Sequence, residues 1–217
     1  MVDNVIETNN VRLVGKIIKG MEESHEIYGE KFYNFTIEVP RLSSSVDNLQ
    51  VTISERILFN IDLDPGIYVI IEGQLRSYNR VVNERNKLIL TVFVRDLIIP
   101  EEEELAEFLR NPNEIYLDGY ICKKPIYRTT PFGREISDIL LAVNRPYNKS
   151  DYIPAIAWGR NARFCENLVV GDRVKVWGRI QSREYQKKLG EEEVESRVAY
   201  EVSLSKLEYL EDENNRL

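Results

Sequence analysis

NEIYLDGYI, residues 113 to 121, repeats NNVRLVGKI, residues 9 to 17, at an offset of 104. The offset sets Asn9 over Asn113, Leu13 over Leu117 and Gly15 over Gly119. It holds downstream, where Gly29, Val39 and Arg41 fall on Gly133, Val143 and Arg145. After one inserted residue, GIYVIIEGQLRS (66–77) falls on GDRVKVWGRIQS (171–182). A self-match held over most of the chain is a tandem duplication, so the 217 residues divide into two units of about 100 residues each.

Within each unit the apolar period is two. Val69, Ile71 and Leu75 alternate with Ile70, Glu72 and Gln74, while Val174, Val176 and Ile180 alternate with Lys175, Trp177 and Arg179. Side chains two apart share one face of a strand, so these are half-buried strands. The spacing predicts strands near 115–121, 135–144, 152–158, 172–183 and 194–207, with a short helix near 161–168, and the same order in the first copy. The expected fold class is therefore all-β: two tandem five-stranded barrels of the OB-fold layout, each with one short helix between strands 3 and 4. Gly73 and Gly178, in mid-strand, fit barrel bends where a side chain would crowd the turn. The expected domains are 1–99 and 113–210. They are joined by an acidic helical linker, PEEEELAEFLRNP (100–112), and followed by a tail, 211–217.

Hydrophobic residues at 43% and charged residues at 30% place the chain among globular proteins. Apolar runs are short, and MVDNVIETNN lacks a basic patch followed by an apolar stretch, so a cytoplasmic, membrane-free protein is expected. Cys122 and Cys165 stand 43 positions apart without neighbouring ligands, which argues against a metal site. The single histidine, His25, lies among glutamates in MEESHE and reads as a solvated loop residue rather than a catalytic base. No phosphate-cradling GxxxxGK[ST] or GxGxxG occurs. A non-enzymatic role without cofactor or metal follows.

Charge is divided unevenly: −3 over residues 1–99, −4 over 100–112, +2 over 113–210 and −2 over the tail. The second unit's first long loop, KKPIYRTTPFGR, carries Lys123, Lys124, Arg128 and Arg134 and no acid, with Tyr127 and Phe132 interleaved. Its counterpart, KGMEESHEIYGEK (19–31), carries four glutamates. Cations attract phosphates through Coulomb interaction and counterion release, and exposed rings offer sequence-tolerant platforms for bases. Arg173, Lys175, Trp177 and Arg179 on the fourth strand, then Arg183, Tyr185, Lys187 and Lys188, add to the same pattern, although a solvated barrel surface would also carry such residues.

NEIYLDGYICKKPIYRTTPFGREISDILLAVNRPY, followed by DYIPAIAWGRNARFCENLVVGDRVKVWGRIQSREY, resembles the bacterial single-stranded DNA-binding protein family from first strand to fourth. The first copy resembles it more faintly. The resemblance implies stacking platforms at Tyr147 after LAVNRPY, Tyr152 in DY, Trp158 in AWG and Tyr185 in SREY, and backbone contacts at Arg160 and Arg183. Pro154 and Val170 stand where basic residues are common in the family, and EDENNRL lacks the family's acidic recruitment tail ending in Pro-Phe. Trp177 has no such assignment and reads as a contact or an interface residue.

The leading expectation is sequence-nonspecific binding of single-stranded DNA in replication, repair or recombination. The alternative is a protein-interaction or scaffold module of a replication or primosome assembly with weak DNA binding. At the repeat offsets Tyr147, Tyr152, Trp158 and Tyr185 fall on Ser43, Asn48, Ser54 and Arg80, with Tyr78 close enough for a shifted hairpin to compensate. The first barrel is thus expected to be mainly structural, and its apolar fifth strand, KLILTVFVRDLII, to be buried against another barrel. The resemblance implies first strands that pair across a subunit interface, hence a homodimer with four barrels.

Overall fold

The computed structural model describes residues 8–58, 61–82, 85–188 and 194–211. In the first unit β1 (Asn9–Ile27), β2 (Glu30–Pro40), β3 (Val46–Ser54), β5 (Arg85–Ile98) and β4 (Tyr68–Val82) hydrogen-bond in that order, and β4 closes back on β1. Helix α1 (Glu102–Phe108) follows. In the second unit β6 (Asn113–Thr129), β7 (Glu135–Arg145), β8 (Lys149–Trp158), β10 (Val194–Leu210) and β9 (Arg173–Lys188) repeat the circuit, with β9 closing on β6. Helix α2 (Arg160–Cys165) lies between β8 and β9. Every pairing in each barrel is antiparallel except β3–β5 and β8–β10, short parallel ladders that shut the Greek key. No helix among the described residues is long and apolar enough to cross a membrane.

The alternation read from sequence is the inside and outside of these barrels. Leu13, Ile37, Val51, Ile71 and Val92 fill the first, and Leu117, Leu141, Ile153, Val176 and Val202 fill the second, all at most 1% exposed. Gly73 and Gly178 sit where β4 and β9 pass directly over the carbonyls of Phe93 and Ser203, and a Cβ at either would collide with that oxygen. Each barrel's first strand begins with an asparagine that imitates a ladder partner. The Asn9 amide donates to the Leu75 carbonyl (2.8 Å) and its Oδ1 accepts from the Leu75 N–H (2.9 Å); Asn113 does the same with Ile180.

β1 and β6 pair antiparallel, Asn9 with Leu117, Val11 with Ile115 and Leu13 with Asn113. Val11 and Ile115 are equivalent under the repeat, so a pseudo-twofold axis passes between them. It relates two buried clasps. Asp47 accepts from Arg41 (2.8 and 2.6 Å) and from the Ser182 N–H of the other barrel (2.7 Å). Asp151 accepts from the Ser77 N–H (2.7 Å) and from Arg76 (3.2 Å), with Arg145 Nε at 3.3 Å, near enough for an ion pair but not aligned for a hydrogen bond. Both carboxylates are fully buried. Removing a charge from water is costly unless partners surround it, and here each clasp supplies them from both barrels.

The structure corrects four expectations. Between β3 and β4 the described residues form turns, with the Ile57 and Leu58 N–H groups bonded to the carbonyls three residues back, rather than a helix. Asn60, Asp62 and Asp64 in that stretch are residues whose side chains compete with helical backbone bonds, and Pro65 and Gly66 follow. The loop from Lys123 to Arg134 is mostly an arm: β6 runs on to Thr129 through bulges near Cys122 and Ile126, and only 130–134 turns. The outer face of β5 makes no ladder with the second barrel, because the barrels meet through β1–β6, with β3 beside β9 and β4 beside β8. First strands pair within the chain, so that edge is not left for a subunit partner. The side chains of Lys187 and Lys188, and tail residues 212–217, lie outside the described residues.

Candidate nucleic-acid interface

The β7–β8 hairpin turns through Pro146, Tyr147 and Asn148, with Tyr147 and Asn148 both at positive φ (63° and 54°). An L residue other than glycine takes this conformation at a cost of ~1–2 kcal/mol, and here it projects the Tyr147 ring into solvent, 94% exposed. Along β8 the odd residues Ile153, Ala155 and Ala157 enter the core, which leaves Tyr152 and Trp158 outside at 50% and 36% exposure. Trp158 is fixed by its indole N–H, which donates to Ser203 Oγ on β10 (3.0 Å). Tyr152 is held through its backbone, whose N–H donates to Ser77 Oγ of the first barrel (2.7 Å).

The β8–β10 register sets Ala155 beside Val202, and β10 in turn sets Ala199 opposite Arg183 and Arg197 opposite Tyr185. The surface bearing Tyr152 and Trp158 therefore continues across β10 to Arg183 and Tyr185 on β9. The Arg183 guanidinium lies over the Tyr185 ring at 5.8 Å, and Tyr185 is 37% exposed. At the other end of β8 the Gly159 N–H donates to the Glu135 carbonyl (2.9 Å), which brings Arg134, Trp158 and Arg160 to one end of the barrel. Arg134 and Arg160 are exposed.

The remaining arm cations differ in their freedom. Lys123 and Lys124 are exposed at the bulge opposite Leu140. Arg128 is spanned by Asp138 from the neighbouring strand, Nε to Oδ2 at 2.8 Å and Nη2 to Oδ1 at 3.2 Å, and this hydrogen bonding raises the guanidinium pKa further. The Tyr127 hydroxyl donates to Glu135 (2.7 Å), which holds the Glu135 carboxyl below its usual range. Arg163 on α2 also donates to Glu135 (2.9 Å). Trp177 stands apart from these rings, on the outer face near the seam, tilted against Tyr116 (5.2 Å) with the Lys206 ammonium over it (4.4 Å). Phe132, read from the sequence as a ring interleaved with the arm cations, is 92% exposed at the arm tip, and its repeat equivalent Tyr28, to which sequence reasoning assigned no role, is fully exposed at φ 52°. The signal was present in the Gly29–Gly133 match one residue on.

Residues 112–210 match the model of the Single-strand binding protein family. The "Single-stranded DNA-binding protein 2" of Listeria monocytogenes is 32% identical over 113 residues, 48% of this chain and 68% of that protein. The chain spans 63% of the length of the "Single-stranded DNA-binding protein 1" and the "Single-stranded DNA-binding protein 2" of two Staphylococcus aureus strains, each 34% identical over 110 residues, 47% of this chain. Among solved structures, the wild-type single-stranded DNA binding protein from Thermus aquaticus superposes with a TM-score of 0.74 at 19% identity, covering 94% of this chain and 93% of that one, a likeness of fold. A dimeric structure of the N-terminal domain of PriB protein from Thermoanaerobacter tencongensis is 54% identical over 44% of this chain and 100% of that one, with a TM-score of 0.40.

Proposed function

We propose that this chain, which belongs to the single-strand binding protein family, is a non-enzymatic, cytoplasmic binder of single-stranded DNA. It holds the strand mainly through the second barrel, by stacking bases on Tyr147, Tyr152, Trp158 and Tyr185 and by pairing phosphates with Arg160, Arg183, Arg134, Lys123 and Lys124. Arg128 contributes less, since Asp138 already faces its guanidinium. One observation carries the reading: all four rings lie outside the barrel, between 36% and 94% exposed, where an apolar side chain with a structural task would be buried. Rings stack on any base, so the binding is sequence-tolerant and suits replication, repair or recombination.

The first barrel serves assembly, through the seam and the clasps. Its acidic arm, with Glu22, Glu23 and Glu26 exposed, favours the second reading, a scaffold module whose DNA binding is weak. Titration of the full chain with oligo(dT) separates the two. Quenching of tryptophan emission that saturates at a defined nucleotide ratio supports DNA binding, because Trp158 lies in the path. Unchanged emission together with unchanged oligonucleotide anisotropy at low salt would favour the scaffold.

A further inference from the structure

One acid stands inside the face that carries the rings of the second barrel. Val202 on β10 points into the core, so its neighbours Glu201 and Ser203 lie on the outer face, and Ser203 is the residue that holds Trp158. The register sets Glu201 opposite Gln181, and Ala199 opposite Arg183 on β9, which leaves Glu201 between Trp158 on one side and Arg183 and Tyr185 on the other. Gln181 Nε2 donates to Glu201 Oε1 (2.7 Å), and Arg183 Nε stands 3.6 Å from the same oxygen, an ion pair too long for a hydrogen bond. On the other flank, one step back from the Ala155–Val202 pair, β8 places Pro154, which has no N–H and no polar side chain to offer. Gln181 and Arg183 thus hold the carboxylate by one oxygen, and 11% of the side chain stays open to solvent.

The position argues for a task beyond holding Arg183. A carboxylate repels phosphates, yet this one stands in the more basic of the two barrels, among its outward rings. Since Gly73 pairs with Val94 and Gly178 with Leu204, Glu201 corresponds to Thr91 and Gln181 to Arg76, which also face each other across β4 and β5. The first barrel builds the same position without an acid. A carboxylate accepts hydrogen bonds and donates none. Beside a stacked base it accepts from an exocyclic amine, such as N4 of cytosine, and opposes the lone pairs of a carbonyl in the same place, such as O4 of thymine or uracil. We infer that Glu201 reads the edge of a base stacked next to Trp158 and favours amine-bearing bases over thymine and uracil, a bias laid on otherwise sequence-tolerant binding. The inference rests on the DNA-binding reading above and deepens it.

The test compares the full chain with its Glu201→Gln variant on strands of about 16 nucleotides, the upper span of one barrel, made of oligo(dC) or oligo(dU) and titrated by anisotropy at one salt and slightly alkaline pH. The two rings differ only along the pairing edge, where cytosine carries the amine and uracil carries O4. A glutamine amide donates as well as accepts. The ratio of the oligo(dU) to the oligo(dC) dissociation constant should therefore fall about five- to tenfold in the variant, the scale of one hydrogen bond. A carboxylate that only holds Arg183 or repels phosphates would, once neutralised, change both affinities alike, so an unchanged ratio in folded Glu201→Gln overturns the inference. A measurement on the wild type covers the case in which the variant misfolds. A strand of pyrimidin-2-one, which is cytosine without its amine, should bind about fivefold more weakly than oligo(dC), and equal affinities would overturn the inference. Binding of all three strands alongside such a result leaves the DNA-binding reading standing, whereas binding of none removes both.

Discussion

Trp158 and Tyr152 stand six positions apart on one strand and so share its outer face, but they are held differently, one through an indole hydrogen bond and the other through backbone. Alanine at either should weaken oligo(dT) binding by about 1–3 kcal/mol, the usual range for a stacked base. Equilibrium titration at matched salt checks this, and equal affinities for wild type and the double alanine variant would count against the platform. A second residue-scale expectation concerns Cys165, fully buried at the end of α2, where burial pushes the thiol up to about 12. An unfolded thiol ionises near ~8.5. The unfolded state therefore releases its proton first as pH rises. The thiol's contribution is complete below that value and is lost as pH climbs toward 12. The stability difference between wild type and Cys165→Ala in urea should shrink above about pH 9; a difference constant across that window would oppose the assignment.

At the scale of elements, the β6–β7 arm carries cations whose availability depends on what the ladder sets beside them. Asp138 lies ten residues from Arg128 along the chain but pairs beside it through a bulged register. Each phosphate contact on a single strand adds roughly −0.7 to the slope of log affinity against log salt. Lys123→Ala, Lys124→Ala or Arg134→Ala should each flatten the slope by up to that amount, and Arg128→Ala by distinctly less. Anisotropy titrations across a salt series measure this, and a larger change for Arg128 than for the lysines would contradict the pairing. The rings of β8 could be named from the resemblance alone, whereas Asp138 beside Arg128 is found only once the register is known.

For the molecule as a whole, the two barrels form one unit through the β1–β6 seam and the clasps at Asp47 and Asp151. Removing one partner of a buried, hydrogen-bonded charge typically costs about 3–5 kcal/mol. Asp47→Ala and Asp151→Ala should each destabilise the chain by about 3 kcal/mol, read from urea unfolding, because each leaves an arginine and a backbone N–H of the opposite barrel unsatisfied. A loss below about 1 kcal/mol, the scale of an exposed ion pair, would mean that the clasps do not bind the barrels together. The homodimer implied by the resemblance would have to use a face other than the first strands, already paired within the chain. Light scattering at micromolar concentration should give twice the 25.4 kDa chain mass; the mass of a single chain would remove the dimer.

The sequence by itself determined the duplication, the strand order and the barrel class. Side-chain alternation is a property of neighbours two residues apart, and a repeat offset needs no structure to be seen. The resemblance also named Tyr152 and Trp158, which the structure leaves outside while Ile153 and Ala157 turn into the core. The tertiary structure alone decided that β1 pairs with β6 inside one chain, that Asp47 reaches Ser182, and that Asp138 sits beside Arg128. Each of these joins residues whose proximity depends on bulges, barrel closure and the packing of one unit on the other. Such contacts arise when strands distant in the chain bury their edges and charges together, and neither composition nor local periodicity records which strands those will be.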